Sequence, residues 1–163
     1  MSLTSMCLCY LTRVSDAAGP EVLLGVKKTG FGAGKLVGLG GHVEPGESPL
    51  QAVVREVMEE SSIRVEPAQL RELGVVTFRF PARPGWDSVV SVFGSDRFSG
   101  EAEESDEIAP EWFPFDDLPL ARMWDDARLW LPRVLAGEYV TAEISFAEDC
   151  ETVSGARFGE DAA

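Results

Sequence analysis

Residues 48–61 carry the strongest folding instruction in this chain. Ser48 suits a helix N-cap, Pro49 suits the first helical position, and Gln51 stands three after Ser48, completing a capping box. A helix from there to about Ser61 is expected. On a wheel of about 100° per residue, Glu56, Glu59 and Glu60 share one arc, and Leu50, Val54, Val57 and Met58 fall opposite. The pattern predicts one buried face and three acids presented together on the other. Like charges at i, i+3 and i+4 repel by a few tenths of a kcal/mol per pair. Hard divalent cations such as Mg²⁺ or Mn²⁺ prefer oxygen ligands and would offset that repulsion. Arg55 lies beside the acids and could hold one of them. A solvated charged face remains the plain alternative for the E-x-x-E-E pattern alone.

The flanks place this helix in a mixed α/β chain. Residues 5–12 and 21–27 read as strands around a turn at 15–20. Residues 29–41 hold six glycines in thirteen positions, a composition that lets a ligand approach the main chain. Residues 44–47 form a turn. Residues 73–81 and 88–98 read as strands, with Gly85 and Trp86 between them. Residues 101–111 carry six acids in eleven and read as a solvated loop, followed by a short apolar piece at 112–115. The later part of 119–135 looks helical, with Gly137 as its C-cap. Residues 139–146 alternate as a strand does, and the acidic tail 147–163 is either a last strand or partly unstructured. Strands mixed with two helices indicate an α/β or α+β sandwich.

From Gly41 the chain reads G-H-V-E-P-G-E-S-P-L-Q-A-V-V-R-E-V-M-E-E-S-S-I. This resembles the Nudix box, G-x5-E-x7-R-E-U-x-E-E-x-G-U, over residues 41–63. Gly41, Glu47, Arg55, Glu56, Val57, Glu59, Glu60 and Ile63 match, and Ser62 stands where the family has glycine. Residues 22–35, E-S-D-E at 104–107, W-F at 112–113 and M-W-D-D at 123–126 resemble the animal branch of the MutT-type oxidised-purine nucleoside triphosphate diphosphohydrolases. The likeness spans residues 5–146.

The resemblance implies an α/β/α sandwich with a curved mixed β-sheet, and a single Nudix domain over residues 1–163. It also implies a Mg²⁺-dependent hydrolase, with Mn²⁺ as a substitute. The substrate would be a (deoxy)nucleoside triphosphate such as 8-oxo-dGTP, cleaved to the monophosphate and pyrophosphate. Glu56, Glu59, Glu60, the Gly40 carbonyl and Glu104 would be metal ligands. Arg55 and Glu47 would support them, the usual role of outer partners. One of Glu59 and Glu60 would activate the attacking water. Lys27, Phe31, Leu39, Gly40, Gly41, His42, Trp124 and Asp126 would line the nucleotide site. Two departures bear on the base. Val37 stands where the family has an asparagine that hydrogen-bonds the purine. The family's adjacent aspartates fall on Asp126 and Ala127, or on Asp125 and Asp126 after a one-residue shift. Cys7 and Cys9 alternate on the first strand, so one of them could face the pocket, although buried structural thiols are the commoner case.

Other readings are a Nudix hydrolase of dinucleoside polyphosphates or nucleotide sugars, or a non-catalytic domain that senses a nucleotide. The complete R-E-V-M-E-E core speaks against the last. The net charge of −14 falls entirely after residue 47 and argues against nucleic acid polymers and anionic membranes as partners. A phosphorylated small molecule is compatible with such a surface if a metal brings the positive charge. No apolar run is long enough to span a bilayer, and residues 1–5 lack a basic start for a secretory signal. Three cysteines suit a reducing cytoplasm rather than a disulfide framework. A monomer or weak dimer is expected.

Overall fold

The computed structural model describes residues 3–159, so residues 160–163 of the acidic tail lie outside the description. Strand β1 (Thr4–Ser15) turns directly into β2 (Gly19–Lys27). The glycine-rich stretch then supplies two short strands, β3 (Leu36–Val37) and β4 (Leu39–His42). Helix α1 (Pro49–Ser61) follows, then β5 (Arg71–Arg79), β6 (Ser88–Ser95) and β7 (Ile108–Pro114). Helix α2 (Ala127–Leu135), β8 (Val140–Phe146) and β9 (Val153–Phe158) complete the fold.

The strands join in one mixed sheet of order β3-β2-β1-β6-β5-β8-β9, with β4 paired to β1 and β7 to β2. The β1–β6 and β5–β8 pairs are parallel, and the others are antiparallel. Two cores follow from side-chain alternation along β1. Cys7, Cys9 and Leu11 pack with Val53, Val57 and Ile63 on the α1 side. Tyr10 packs with Val90, Trp130 and Phe146 on the α2 side. Both cysteines are buried in this core, and Cys7, unlike Cys9, also lines the cavity described below.

Helix α1 starts as its capping box dictates. The Gln51 N–H donates to Ser48 Oγ at 3.1 Å, and the Ser48 N–H donates to Gln51 Oε1 at 2.8 Å. It ends at Ser62, which takes the left-handed conformation (φ 64°, ψ 9°) and donates its N–H to the Met58 carbonyl. Its buried face differs from the expected one. Met58 is 39% exposed and Val54 is only half buried, whereas Glu56 and Glu60 are 9% and 7% exposed. These two acids lie on the docked side with Ala52, Val53 and Val57. The reason is what the helix docks against. Strand β4 offers Gly40 and Gly41, and a Cβ on Gly41 would lie 2.7 Å from Glu56 Oε1. Removing side chains beneath the helix makes room for carboxylates on its inner face.

One further expectation is corrected, and one open alternative is decided. The loop expected over residues 101–111 ends earlier, because residues 108–114 form β7, paired along its full length with residues 21–27 of β2. Acids at its start hid a strand whose Ile108 and Phe113 are buried. Beyond residue 146 the chain forms β9, whose Val153 N–H donates to Asp125 Oδ2 at 2.8 Å.

Candidate active site

Arg55 organises the outer part of the site. Its Nε and one terminal nitrogen grip both Glu47 oxygens at 2.8 and 2.9 Å. The same terminal nitrogen reaches the His42 carbonyl at 3.1 Å. The other terminal nitrogen donates to Glu56 Oε1 at 3.0 Å and Glu59 Oε2 at 3.2 Å. All five guanidinium N–H groups therefore have acceptors, which a lysine ammonium cannot reproduce. Hydrogen bonding to Arg55 and to the Glu44 amide holds the Glu47 carboxyl down to about 2.

The inner part is a carboxylate cluster. Oxygens of Glu56, Glu60 and Glu107 lie within 4.8 Å of one another. The Gly40 N–H donates to Glu60 Oε1 at 2.8 Å, anchoring the acid to the glycine turn. A Cβ at Gly40 would stand 2.0 Å from the Cys7 carbonyl oxygen, so no other residue fits this approach. Burial raises the Glu60 pKa to about 8, assisted by the charges of Glu56 and Glu107 and opposed by Gly40 and Lys27. Burial also raises that of Glu56, against Arg55. Carboxylates held together out of water, with oxygen the only donor atom, fit a hard divalent cation.

The acidic loop supplies Glu107, not Glu104. Glu104 is exposed and pairs with Lys28, which also donates to the Ser105 carbonyl at 2.8 Å. The Lys28 N–H donates to the Glu107 carbonyl at 2.9 Å, so this lysine ties the loop to the end of β2. Glu59 stays outside the cluster, half exposed on Arg55. In sequence, spacing along the E-S-D-E string could not separate its two glutamates.

A cavity of about 180 Å³ opens from the cluster toward α2, with Glu60 in its wall. An apolar cavity of about 150 Å³ takes benzene, so this one has room for a flat ring system. Lys27, Phe31, Gly40, Gly41, Trp124 and Asp126 line it, as do Tyr10, Val37, Trp86 and Trp130. Phe31 sits 5.0 Å from Trp124 and 4.2 Å from Trp86, centroid to centroid. Lys27 Nζ donates to the Phe31 carbonyl at 2.5 Å. Two expected lining residues are elsewhere. Leu39 is fully buried in the α1-side core, because β4 alternates it away from the cavity. His42 is exposed and contributes its carbonyl to Arg55. Of the two aspartates only Asp126 reaches the cavity. It is 5% exposed and accepts a hydrogen bond from Trp130 Nε1 at 2.7 Å, and burial pushes its pKa to about 6. Asp125 turns outward to Arg128 and Val153.

Residues 9–134 match the model of the NUDIX domain. The chain is 43% identical over 125 residues to the oxidized purine nucleoside triphosphate hydrolase of Danio rerio, covering 77% of this chain and 78% of that protein. It is 37% identical over 133 residues to the protein of the same name from Mus musculus, covering 82% and 83%. In three dimensions it superposes on a MutT protein from Bacillus halodurans with a TM-score of 0.78, covering 96% of this chain and 97% of that one. Sequence identity there is 22%, so that likeness concerns the fold.

Proposed function

The chain belongs to the Nudix family, and on that premise we propose that it hydrolyses purine nucleoside triphosphates to monophosphate and pyrophosphate with Mg²⁺, oxidised purines such as 8-oxo-dGTP included. One observation carries this reading: Glu60 belongs both to the carboxylate cluster and to the wall of the aromatic cavity. A ligand with its ring system in that cavity therefore extends toward the acids. A purine triphosphate has this shape, and the two relatives bear that substrate in their names.

Glu56, Glu60 and Glu107 would hold the metal, with the Gly40 carbonyl beside them. A bound divalent ion supplies charge neutralisation at phosphate oxygens and a lowered pKa for coordinated water. The chain's own residues do the rest. Arg55 fixes the orientation of Glu56, and Glu47 fixes Arg55. Lys27 brings a cation from β2 to the mouth of the cavity, where it faces the phosphate chain. Glu60 is committed to the Gly40 N–H, so Glu59 is the freer carboxylate of the pair to accept a proton from the attacking water. Phe31 and Trp124 flank the base, a contact worth about 1–3 kcal/mol per base. Mn²⁺ should substitute for Mg²⁺, since both take oxygen ligands.

Net charge of −14 supports a free nucleotide rather than a nucleic acid polymer as substrate. No described helix is long and apolar enough to cross a membrane. The three free thiols suit the cytoplasm, and the reading is a monomer or weak dimer organised as one Nudix domain.

Pyrophosphate release from a panel of normal and oxidised (d)NTPs, ADP-ribose and a dinucleoside polyphosphate tests the proposal. Activity on purine triphosphates should disappear with chelator and return with Mg²⁺. Glu60→Gln should lose more than the roughly 10–100-fold typical of an outer-shell partner. Full activity of Glu60→Gln would sink the assigned site. Turnover confined to the non-triphosphate substrates would move the enzyme to another Nudix class.

A further inference from the structure

Tyr10 is an aromatic hydroxyl that the site described so far does not use. It is 2% exposed, yet it lines the cavity. Among the described residues no hydrogen bond engages its hydroxyl, and no fully enclosed side-chain polar atom lacks a partner, so this oxygen opens onto the cavity that Tyr10 lines. Its ring packs edge-on against Trp130 at 5.8 Å, and Trp130 in turn donates to Asp126. Gly38, next to Val37, leaves the space it occupies: a Cβ there would lie 3.2 Å from the Tyr10 hydroxyl and closer still to the ring. A hydroxyl presented at a cavity wall with no protein partner is available to a ligand's polar edge.

The chemistry of the wall says which part of a nucleotide it meets. Lys27 and the acids stand at one end, where phosphates belong. Tyr10, Trp130 and Asp126 stand together on the α2 side, where the ring system belongs. Val37 lines the same wall and has no hydrogen bond to give. Burial and the neighbouring Asp126 carboxylate keep the Tyr10 hydroxyl protonated at neutral pH. A phenol both donates and accepts, so it can serve an oxo or an amino group on a base edge.

We propose that the Tyr10 hydroxyl is a specificity-determining contact, hydrogen-bonding the edge of the purine base beside Asp126 and supplying polar recognition that Val37 cannot. This rests on the purine nucleotide reading above. A pyrimidine, with one ring fewer, falls short of the α2-side wall and does not engage it.

Tyr10→Phe tests the idea, because it removes one oxygen and keeps the ring against Trp130 and Gly38. Two readouts apply. The first is kcat/KM for purine and pyrimidine triphosphates. The second is the Kd of a purine nucleoside monophosphate without metal, followed by quenching of tryptophan fluorescence. The inference expects kcat/KM for purines to fall about 3- to 10-fold and the monophosphate Kd to rise by a similar factor. Pyrimidine turnover, Mn²⁺ affinity and thermal stability should stay unchanged. Unchanged purine values in an active enzyme would overturn the role of Tyr10 alone. Equal losses on purines and pyrimidines would do the same. A wild-type protein that neither cleaves triphosphates nor binds the monophosphate would overturn the nucleotide reading and this inference with it.

Discussion

Asp126 offers a sharp test of the cavity's electrostatics. It is 5% exposed, and burial lifts its pKa from an ordinary 3.8 to about 6, with Asp125 adding to the rise and the Trp130 N–H opposing it. The folded chain therefore keeps a proton that the unfolded chain releases between those two values. Stability falls as pH rises through that window and is constant above it. At about 1.4 kcal/mol per pH unit, the loss is about 1.5 kcal/mol by pH 5 and about 3 kcal/mol once pH exceeds the folded value. Asp126→Asn keeps an oxygen to accept from Trp130 Nε1 and has no charge to lose. The variant should be more stable than wild type by up to about 3 kcal/mol at pH 7.5, and by about half of that at pH 5. For a chain of this length that corresponds to a Tm rise of roughly 6–12 °C at pH 7.5. Urea unfolding followed by tryptophan fluorescence at both pH values reads it directly. A variant no more stable than wild type at pH 7.5 would refute the reasoning, and so would a gain that does not change with pH. If Asp126 also reads the base, purine kcat/KM falls in this more stable variant, the usual opposition of stability and function.

Two other substitutions separate backbone strain from site architecture. Ser62 is an exposed residue at φ 64°, a conformation that costs an L-residue about 1–2 kcal/mol and glycine nothing. Ser62→Gly should raise Tm by roughly 2–4 °C with kcat unchanged; an unchanged or lower Tm in differential scanning calorimetry would show that the strain is not there. Arg55→Lys keeps the charge but cannot hold Glu47, Glu56, Glu59 and the His42 carbonyl together. It should lower kcat/KM about 10–100-fold in steady-state assays with Tm little changed, and near-wild-type turnover would remove Arg55 from its positioning role.

The parts of the fold legible in sequence are those fixed by local chemistry. Helix α1 begins where Ser48, Pro49 and Gln51 require, because caps act over three or four residues. Its buried face was not legible. Counting Val54 and Met58 as core treats burial as a property of side chains, whereas burial here depends on what α1 lies upon. Gly40 and Gly41 beneath it admit Glu56 and Glu60, and no wheel contains that information. The same limit explains Glu107. Residues 104–107 offer several acids at short spacing, and only the tie from Lys28 determines which of them turns inward. Tyr10 had a local signal that strand alternation supplies. Once Cys7 and Cys9 face α1, Tyr10 must face the other layer, and the cavity lies in that layer.

The misread face also explains why the site is built on a helix at all. Two carboxylates one turn apart on an exposed face could separate in water and repel weakly. On the docked face they cannot separate, because Val53 and Val57 fix the helix against β4 and β1. Gly40 holds Glu60 by its amide, and Arg55 holds Glu56. The fold thus pins negative charges together at a cost that its apolar core must offset, at about 1.5–3 kcal/mol for each fully buried aliphatic side chain. Such a cluster is least stable when alone and gains most from a cation, so the residues that make α1 pack well are the same ones that make its acids ready to bind.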